Sequence, residues 1–335
     1  MTFIEKHMNL IKNTIWFKSY LTVLFFVATS NLFAQGHYNG GSFNPNDYFV
    51  PSAKGWVFSL YYSYSQMDYY NDSRNKTDVI EINENPPILI VMGQNVRTHS
   101  VIPMISYFGE IKMLKARWGI LALPTVNNPN ADIALDFYTS QTISGSNTIN
   151  LKSFGLGDFY LQPIWLTWGK KRFSTTFSYG LWIPIGKYKI DDPGNVGMGY
   201  WSNNFRLASR FQPITKLSFT ACATFELNSK QKGSDFIESP HLTIDYGGSY
   251  NFLMGHEIGF FGFGAWQTGN DKGEKAVLLK DQWYGLGIYG SYWFIPGKFG
   301  ILTRFTGNFG TKNRFGGLSF QVGLNYLLFK NTDKK

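Results

Sequence analysis

Eight side chains stand out as a possible polar interior in an otherwise greasy chain: Arg206, Arg210, Glu226, His241, Asp245, Asn251, Arg304 and Gln321. Each falls on the polar side of a stretch that alternates apolar with polar residues, so a sheet would gather them on one face. Cations, carboxylates and amides brought into a common interior either pair with one another and fill it or border a path for a solute. Catalytic residues are scarce. Beyond residue 34 only His37, His99, His241 and His256 supply imidazoles, and no serine or carboxylate stands in a recognised nucleophile setting. A triad built from separate strands is recognised by geometry alone, and His241 would be its base. Cys222 is the only cysteine, which rules out an intrachain disulfide and two-cysteine metal or redox motifs. No metal site and no cofactor is implied. Gly285-Leu-Gly287-Ile-Tyr-Gly290 has dinucleotide-loop spacing but lies inside one alternating stretch, not at a strand-to-helix junction. Its glycines are better explained as room for bulky interior neighbours.

The elements that must position these residues are strands. The 335 residues are 44% hydrophobic and 18% aromatic, only 16% are charged, and the mean hydropathy is -0.17. The apolar residues are therefore dispersed among polar ones, unlike those of a helical membrane protein. In residues 173–184, Phe173, Phe177, Tyr179, Leu181 and Ile183 share one face, while Ser174, Thr176, Ser178 and Gly180 share the other. The same rule orders residues 205–212, 217–227 and 241–252. Further segments at 57–68, 97–108, 117–124, 158–168, 257–268, 283–295, 299–309 and 317–329 bring the expectation to about 12 strands, though 97–108 and 257–268 alternate poorly. Their connections fall into two alternating classes. Those at 169–172, 213–216, 253–256 and 296–298 are short, and those at 69–95, 125–156, 185–202, 228–240 and 269–282 are long. Short periplasmic turns and long extracellular loops identify an outer-membrane barrel. Within hydrocarbon a sheet must close on itself, because an open edge would leave backbone groups unpaired. The expected fold is therefore all-β, a transmembrane antiparallel up-and-down barrel.

Aromatic rings gather at both strand ends, as membrane interfaces favour. Trp165, Trp168, Phe211, Trp293, Phe294 and Phe299 lie beside the short turns, and Tyr64, Tyr200, Trp201, Trp266, Trp283 and Tyr284 beside the long loops. Lys6, Lys12 and Lys18 precede the apolar run 21–27 and a plausible cleavage point after Ala34, so residues 1–34 are expected to be a signal peptide. Removing these lysines and Glu5 from 31 basic and 22 acidic residues leaves 28 against 21, a net +7. This charge is dispersed, whereas a nucleic-acid binder would cluster it. Residues 35–55, with Phe43-Asn-Pro-Asn-Asp-Tyr-Phe-Val-Pro51, form either a plug inside the barrel or a periplasmic tail. The barrel spans 56–329 and residues 330–335 are a short tail. Pro103 and Pro163 interrupt strands, where a missing ladder donor marks either a harmless bulge or a lateral exit for an apolar solute.

Gln321, Gly323, Tyr326 and Leu328 match the pattern resembling the carboxy-terminal assembly signal of outer-membrane barrels, although six residues follow Phe329. Gly155-Leu-Gly-Asp158 running into Leu161-Gln-Pro163, then Pro184-Ile-Gly-Lys-Tyr188 and Gln267-Thr-Gly-Asn-Asp271, resemble the outer-membrane family labelled as meta-pathway phenol-degradation proteins. That family is similar to transporters of hydrophobic compounds. The resemblance implies a barrel for uptake of small solutes, aromatic or otherwise hydrophobic, and supplies no residue-level mechanism. The implied partners are outer-membrane lipid and lipopolysaccharide, the barrel-assembly machinery and a small-molecule solute. A structural or adhesive barrel with a filled lumen and a lipid-modifying barrel enzyme are the alternatives.

Overall fold

The computed structural model describes residues 37, 40–70, 77–82, 88–109, 112–139, 142–170, 172–273, 276 and 280–329. The expected signal peptide and the tail 330–335 lie outside the described residues. In chain order the strands are β1 (Gly55–Tyr70), β2 (Thr77–Ile82), β3 (Ile88–Phe108), β4 (Arg117–Leu123), β5 (Val126–Thr139), β6 (Thr142–Lys152), β7 (Gly155–Leu156) and β8 (Phe159–Lys170). They continue as β9 (Phe173–Ile183), β10 (Ser202–Ile214), β11 (Leu217–Asn228), β12 (His241–Asn251), β13 (Glu257–Gln267), β14 (Gln282–Ile295), β15 (Phe299–Lys312) and β16 (Phe315–Phe329). Twelve of them close into an antiparallel ring in the order β1-β16-β15-β14-β13-β12-β11-β10-β9-β8-β4-β3, with β3 pairing back onto β1. Every ladder in the ring has a partner on both sides, which is what lets a sheet cross lipid.

The two-residue period sets the wall. On β9, Ser174, Thr176 and Ser178 are buried and Phe173 and Phe177 exposed; on β10, Asn204, Arg206 and Ala208 are buried and Phe205 and Leu207 exposed. Lipid rather than water faces the outer set. Phe173 stacks on Phe211 across the β9–β10 ladder with ring centroids 4.9 Å apart, and Phe205 stands opposite Phe225. A large side chain half exposed to water in this way would forfeit about 1–2 kcal/mol of transfer free energy. In a bilayer that loss disappears.

The short turns share one end with Gly55 and Phe329, the start and finish of the barrel, so this end is periplasmic. At the other end the fold departs from the expected loops. Residues 125–156 are not a long irregular loop, since β5, β6 and β7 lie within them. Upper β3 (residues 88–101) pairs with β5, and β5 pairs with β6, carrying the sheet past the rim. Polarity inverts there. Arg97 and Asp132 form an ion pair on the outer face, while Ala131, Ile133 and Leu135 are buried on the inner one. An outer face with charges belongs in water. The connection between β15 and β16 also breaks the expected alternation, being a two-residue turn, Asn313-Arg314, on the long-loop side. Trp165, Tyr200 and Trp283 are not interface rings: they are 6%, 2% and 2% exposed and serve the interior.

Candidate functional site

The inner wall of β9 to β12 is lined by Ser, Thr, Asn, Arg, Glu, His and Asp, so many buried polar groups need partners. A large share is supplied by the segment that precedes β1. His37 and residues 40–50 lie in the lumen, from the extracellular end towards the periplasm.

His37 sits near the loop end. Its Nδ1 is 2.6 Å from Ser202 Oγ, its Nε2 is 2.8 Å from Asp158 Oδ2, and its backbone N–H donates to Glu226 Oε1 at 3.0 Å. The ring stacks on Trp182 at 5.1 Å and meets the edge of Tyr200 at 5.0 Å. Asp158 also accepts the N–H groups of Gly186 at 3.0 Å and Met198 at 2.7 Å, so one carboxylate ties the segment to the extracellular loop.

Deeper in the barrel, Gly41 takes a left-handed conformation, with φ of 71°, that favours glycine. Its N–H donates to Asp245 Oδ1 at 2.7 Å and its C=O accepts from Arg304 Nη1 at 2.8 Å. Arg304 gives its remaining fork to Asn44 Oδ1, Nε at 3.0 Å and Nη2 at 2.6 Å. One turn of 3-10 helix, Pro45–Tyr48, follows. There Asn46 Nδ2 donates to Ser249 Oγ and Glu257 Oε1, both at 2.8 Å, while its Oδ1 accepts from Ser218 and Arg210. Pro45 comes so close to β12 that a Cβ on Gly247 would stand 2.6 Å from its Cγ. Arg206 packs over the rings of Phe43 at 4.7 Å and Tyr48 at 5.5 Å, and Arg210 over Phe49 at 4.5 Å. At the lower end Trp165 Nε1 donates to the Tyr48 C=O at 2.9 Å, and the Val50 N–H donates to Thr167 Oγ1 at 2.9 Å. Val50 is buried among Phe108, Leu121, Tyr160 and Trp165.

Of the residues singled out in the sequence, Arg206, Arg210, Glu226, Asp245 and Arg304 converge on this segment. His241 belongs to a second cluster, at the extracellular mouth. Its Nε2 lies 2.9 Å from Asp281 Oδ1, and Arg314 Nη1 donates to the other oxygen at 3.0 Å. Tyr200 donates to Glu238 in the same layer. Burial pushes the Glu238 carboxyl up to about 7, against the opposing pull of His241 and the Tyr200 bond. For Asp281, burial works upward but is outweighed by the His241 bond and Arg314, which hold it below the usual carboxylate range. Asn251 lies at the periplasmic end of β12 opposite Glu257, and Gln321 stands on β16 opposite Arg304, so each neighbours a residue that bonds the segment. Among the described residues no group of three or more His, Cys, Asp or Glu is placed to hold a metal ion.

Pro163 lies in a bulge, where the β8–β9 register shifts between Leu161 and Ile164 and the β4–β8 register shifts as well. Pro103 keeps regular register with Leu60 on β1. On its other side it falls in the three-residue gap where β3 changes partner from β5, ending at Val101, to β4, starting at Ile105. In β16, Gly323 faces inward, where a Cβ would stand 2.1 Å from the Tyr61 ring, and Tyr326 and Leu328 face outward.

Nothing in the sequence pointed to His37, Asp158, Trp165, Thr167, Glu257 or Arg314 as members of these clusters. The Asn-Pro-Asn-Asp run at 44–47 was the one available signal, as turn formers and amides in a row announce a compact, hydrogen-bonding turn.

The family described as "Putative MetA-pathway of phenol degradation" matches residues 89–324. A comparison with curated proteins found no match. An outer membrane channel from Pseudomonas putida F1 is similar in structure, with a TM-score of 0.63 at 14% identity over 86% of this chain and 100% of that one. That likeness establishes the fold. A monoaromatic hydrocarbon channel, CymD, is more distant, with a TM-score of 0.42 at 10% identity over 83% of this chain and 90% of that one.

Proposed function

Because the chain belongs to the phenol-degradation family that matches most of its length, we propose that it is an outer-membrane channel for passive uptake of small apolar solutes, aromatic ones foremost, gated by its own residues 37–50. The observation that carries this reading is how the segment is fastened. Among the described residues it joins no sheet and is held by side-chain hydrogen bonds and cation–π contacts to the wall. Such fastenings are individually modest and can open without disturbing the barrel ladders. The polar lumen residues named above then act as clasps for the gate, bordering the solute path once it opens.

The exit for an apolar solute is sideways through the wall near Pro103 and Pro163. The partner switch on β3 and the bulge on β8 support this, for fewer ladder bonds hold the wall there. Outward Tyr326 and Leu328 fit a role as the signal read by the assembly machinery, and the apolar belt fits contact with lipid and lipopolysaccharide.

The density of the lumen network favours a second reading, a structural barrel that passes nothing. A lipid-modifying enzyme has less support. His241 has Asp281 on one nitrogen, but among the described residues its Nδ1 has no hydrogen-bond partner and no nucleophile is bonded to it. One experiment separates these readings: uptake of radiolabelled naphthalene by cells whose lipopolysaccharide layer is intact, with and without this chain. Faster uptake of naphthalene, with no change for a polar sugar of similar mass, supports the channel. Equal uptake with and without the chain overturns it.

A further inference from the structure

On β13 and β14 the lumen wall changes character. Where β9 to β12 point hydroxyls, amides and charges inward, β13 points Phe261, Phe263 and Ala265, and β14 points Trp283 and Tyr289; none is more than 4% exposed. Between the aromatic residues of β14 lie Gly285 and Gly287. A Cβ on Gly285 would stand 2.3 Å from the Phe263 ring, and one on Gly287 would stand 2.3 Å from the Phe261 ring. Both rings therefore lie against bare backbone of the wall.

Phe261 packs against Tyr289 and carries the Arg304 guanidinium 5.2 Å over its ring, and Phe263 meets Trp283 edge-on; towards the gate segment both rings again meet bare backbone. A Cβ on Gly40 would stand 2.2 Å from Phe263 Cδ2, and one on Gly41 would stand 2.8 Å from Phe261 Cε2. Each phenyl ring is thus enclosed between a wall glycine and a glycine of the gate segment. The covering Gly40-Gly41 stretch is a turn that carries no side chain and is anchored here by one donor and one acceptor: the Gly41 N–H to Asp245 and the Gly41 C=O from Arg304. The flanking rings are already in use, Trp283 beneath Arg314 at 3.2 Å and Tyr289 bonded to Glu257.

A ligand that replaces this stretch must be thin and apolar on its faces, and must offer a donor to Asp245 and an acceptor to Arg304. A hydroxylated aromatic ring meets each condition. Its plane stacks on Phe261 and Phe263, its O–H donates to the carboxylate, and its oxygen accepts from the guanidinium. We propose that Phe261, Phe263, Asp245 and Arg304 form a binding site for a planar hydroxyarene, and that Gly40-Gly41 occupies it until the solute displaces it. This rests on the channel reading for its purpose, but its geometry stands apart from it.

The test uses the full chain in phosphatidylcholine nanodiscs, with 2-naphthol as the fluorescent probe and empty nanodiscs as background. Saturable binding is expected. Decahydro-2-naphthol, which keeps the hydroxyl and loses the plane, should compete at least about tenfold less well, and F261A/F263A should weaken 2-naphthol binding by about tenfold or more, as lost stacking and burial imply. Gly40→Ala leaves the barrel wall untouched and crowds the covering segment off Phe263, so it should tighten binding. Folding of each variant is checked by the heat-dependent gel shift of a closed barrel. Equal competition by the non-planar alcohol overturns the site, as does unchanged affinity in folded F261A/F263A or in Gly40→Ala. Saturable binding without accelerated uptake in cells would remove the channel reading and leave the site. Accelerated uptake indifferent to F261A/F263A would remove the site and leave the channel.

Discussion

Arg304→Met isolates the strongest clasp on the gate segment, because methionine keeps the stem and deletes the three donated bonds to Asn44 Oδ1 and the Gly41 carbonyl. Charge-assisted bonds of this kind contribute about 1.5–3 kcal/mol each, but Arg304 is buried, and removing it also recovers part of its desolvation cost. What remains is the cost of two acceptors stranded in the seated state and solvated in the released one, about 3–4 kcal/mol, near the middle of a span of about 2–6 kcal/mol for two groups at about 1–3 kcal/mol each. At about 1.4 kcal/mol per factor of ten, the released fraction should rise about 10²–10³-fold. Hydrogen exchange reads that ratio directly, since the Gly41 and Val50 amides are bonded only while the segment is seated. Both amides should exchange about 10²–10³-fold faster in Arg304→Met, while the amides of the β10–β11 ladder keep their wild-type rates. Arg304→Lys, which retains the charge without the fork, should fall between. Unchanged exchange at Gly41 and Val50 in Arg304→Met would refute the idea that side-chain clasps hold the segment.

Asp158→Ala should act at the extracellular end alone, speeding exchange of the Gly186 and Met198 amides at least about tenfold through loss of their charged acceptor and leaving Val50 unchanged. Glu238, with an ordinary value of 4.5 and a folded one of about 7, holds an extra proton in the folded state between those values. Stability should therefore decline as pH rises from 4.5 to 7, by at most about 3 kcal/mol. The melting temperature should fall across that window, and Glu238→Gln should flatten the dependence. Pro163→Ala, measured in the naphthalene uptake assay, should slow uptake if the bulge on β8 weakens the wall for a lateral exit; wild-type rates in both Pro163→Ala and Pro103→Ala would remove that exit.

The strands that follow the two-residue period most plainly were legible from the sequence, because lipid outside and a polar lumen inside place opposite demands on successive residues. β9 is the clearest case, with Phe173 and Phe177 against Ser174, Thr176 and Ser178. Where β13 alternates poorly, the reason is now physical: Phe261 and Phe263 face inward and Phe260 faces lipid, so both sides are aromatic. β5 concealed itself differently. Ala131, Ile133 and Leu135 alternate with polar residues, but Pro129 and the surrounding asparagines read as a loop. The lumen charges were legible as inward residues, but their common target was not. Arg206, Arg210, Asp245 and Arg304 lie on three strands far apart in sequence from residues 41–49, and only closure of the barrel brings them together.

The central claim is that solute passes when residues 37–50 move and stops when they cannot. Asn46 and Ser249, whose side chains meet at 2.8 Å, can be replaced by cysteines in a Cys222→Ala background and joined by a short bis-thiosulfonate cross-linker that reductant cleaves. Naphthalene uptake by cells carrying this variant should fall to the level of cells lacking the chain while the tether is intact and recover on reduction; the same rate in both states would contradict the account.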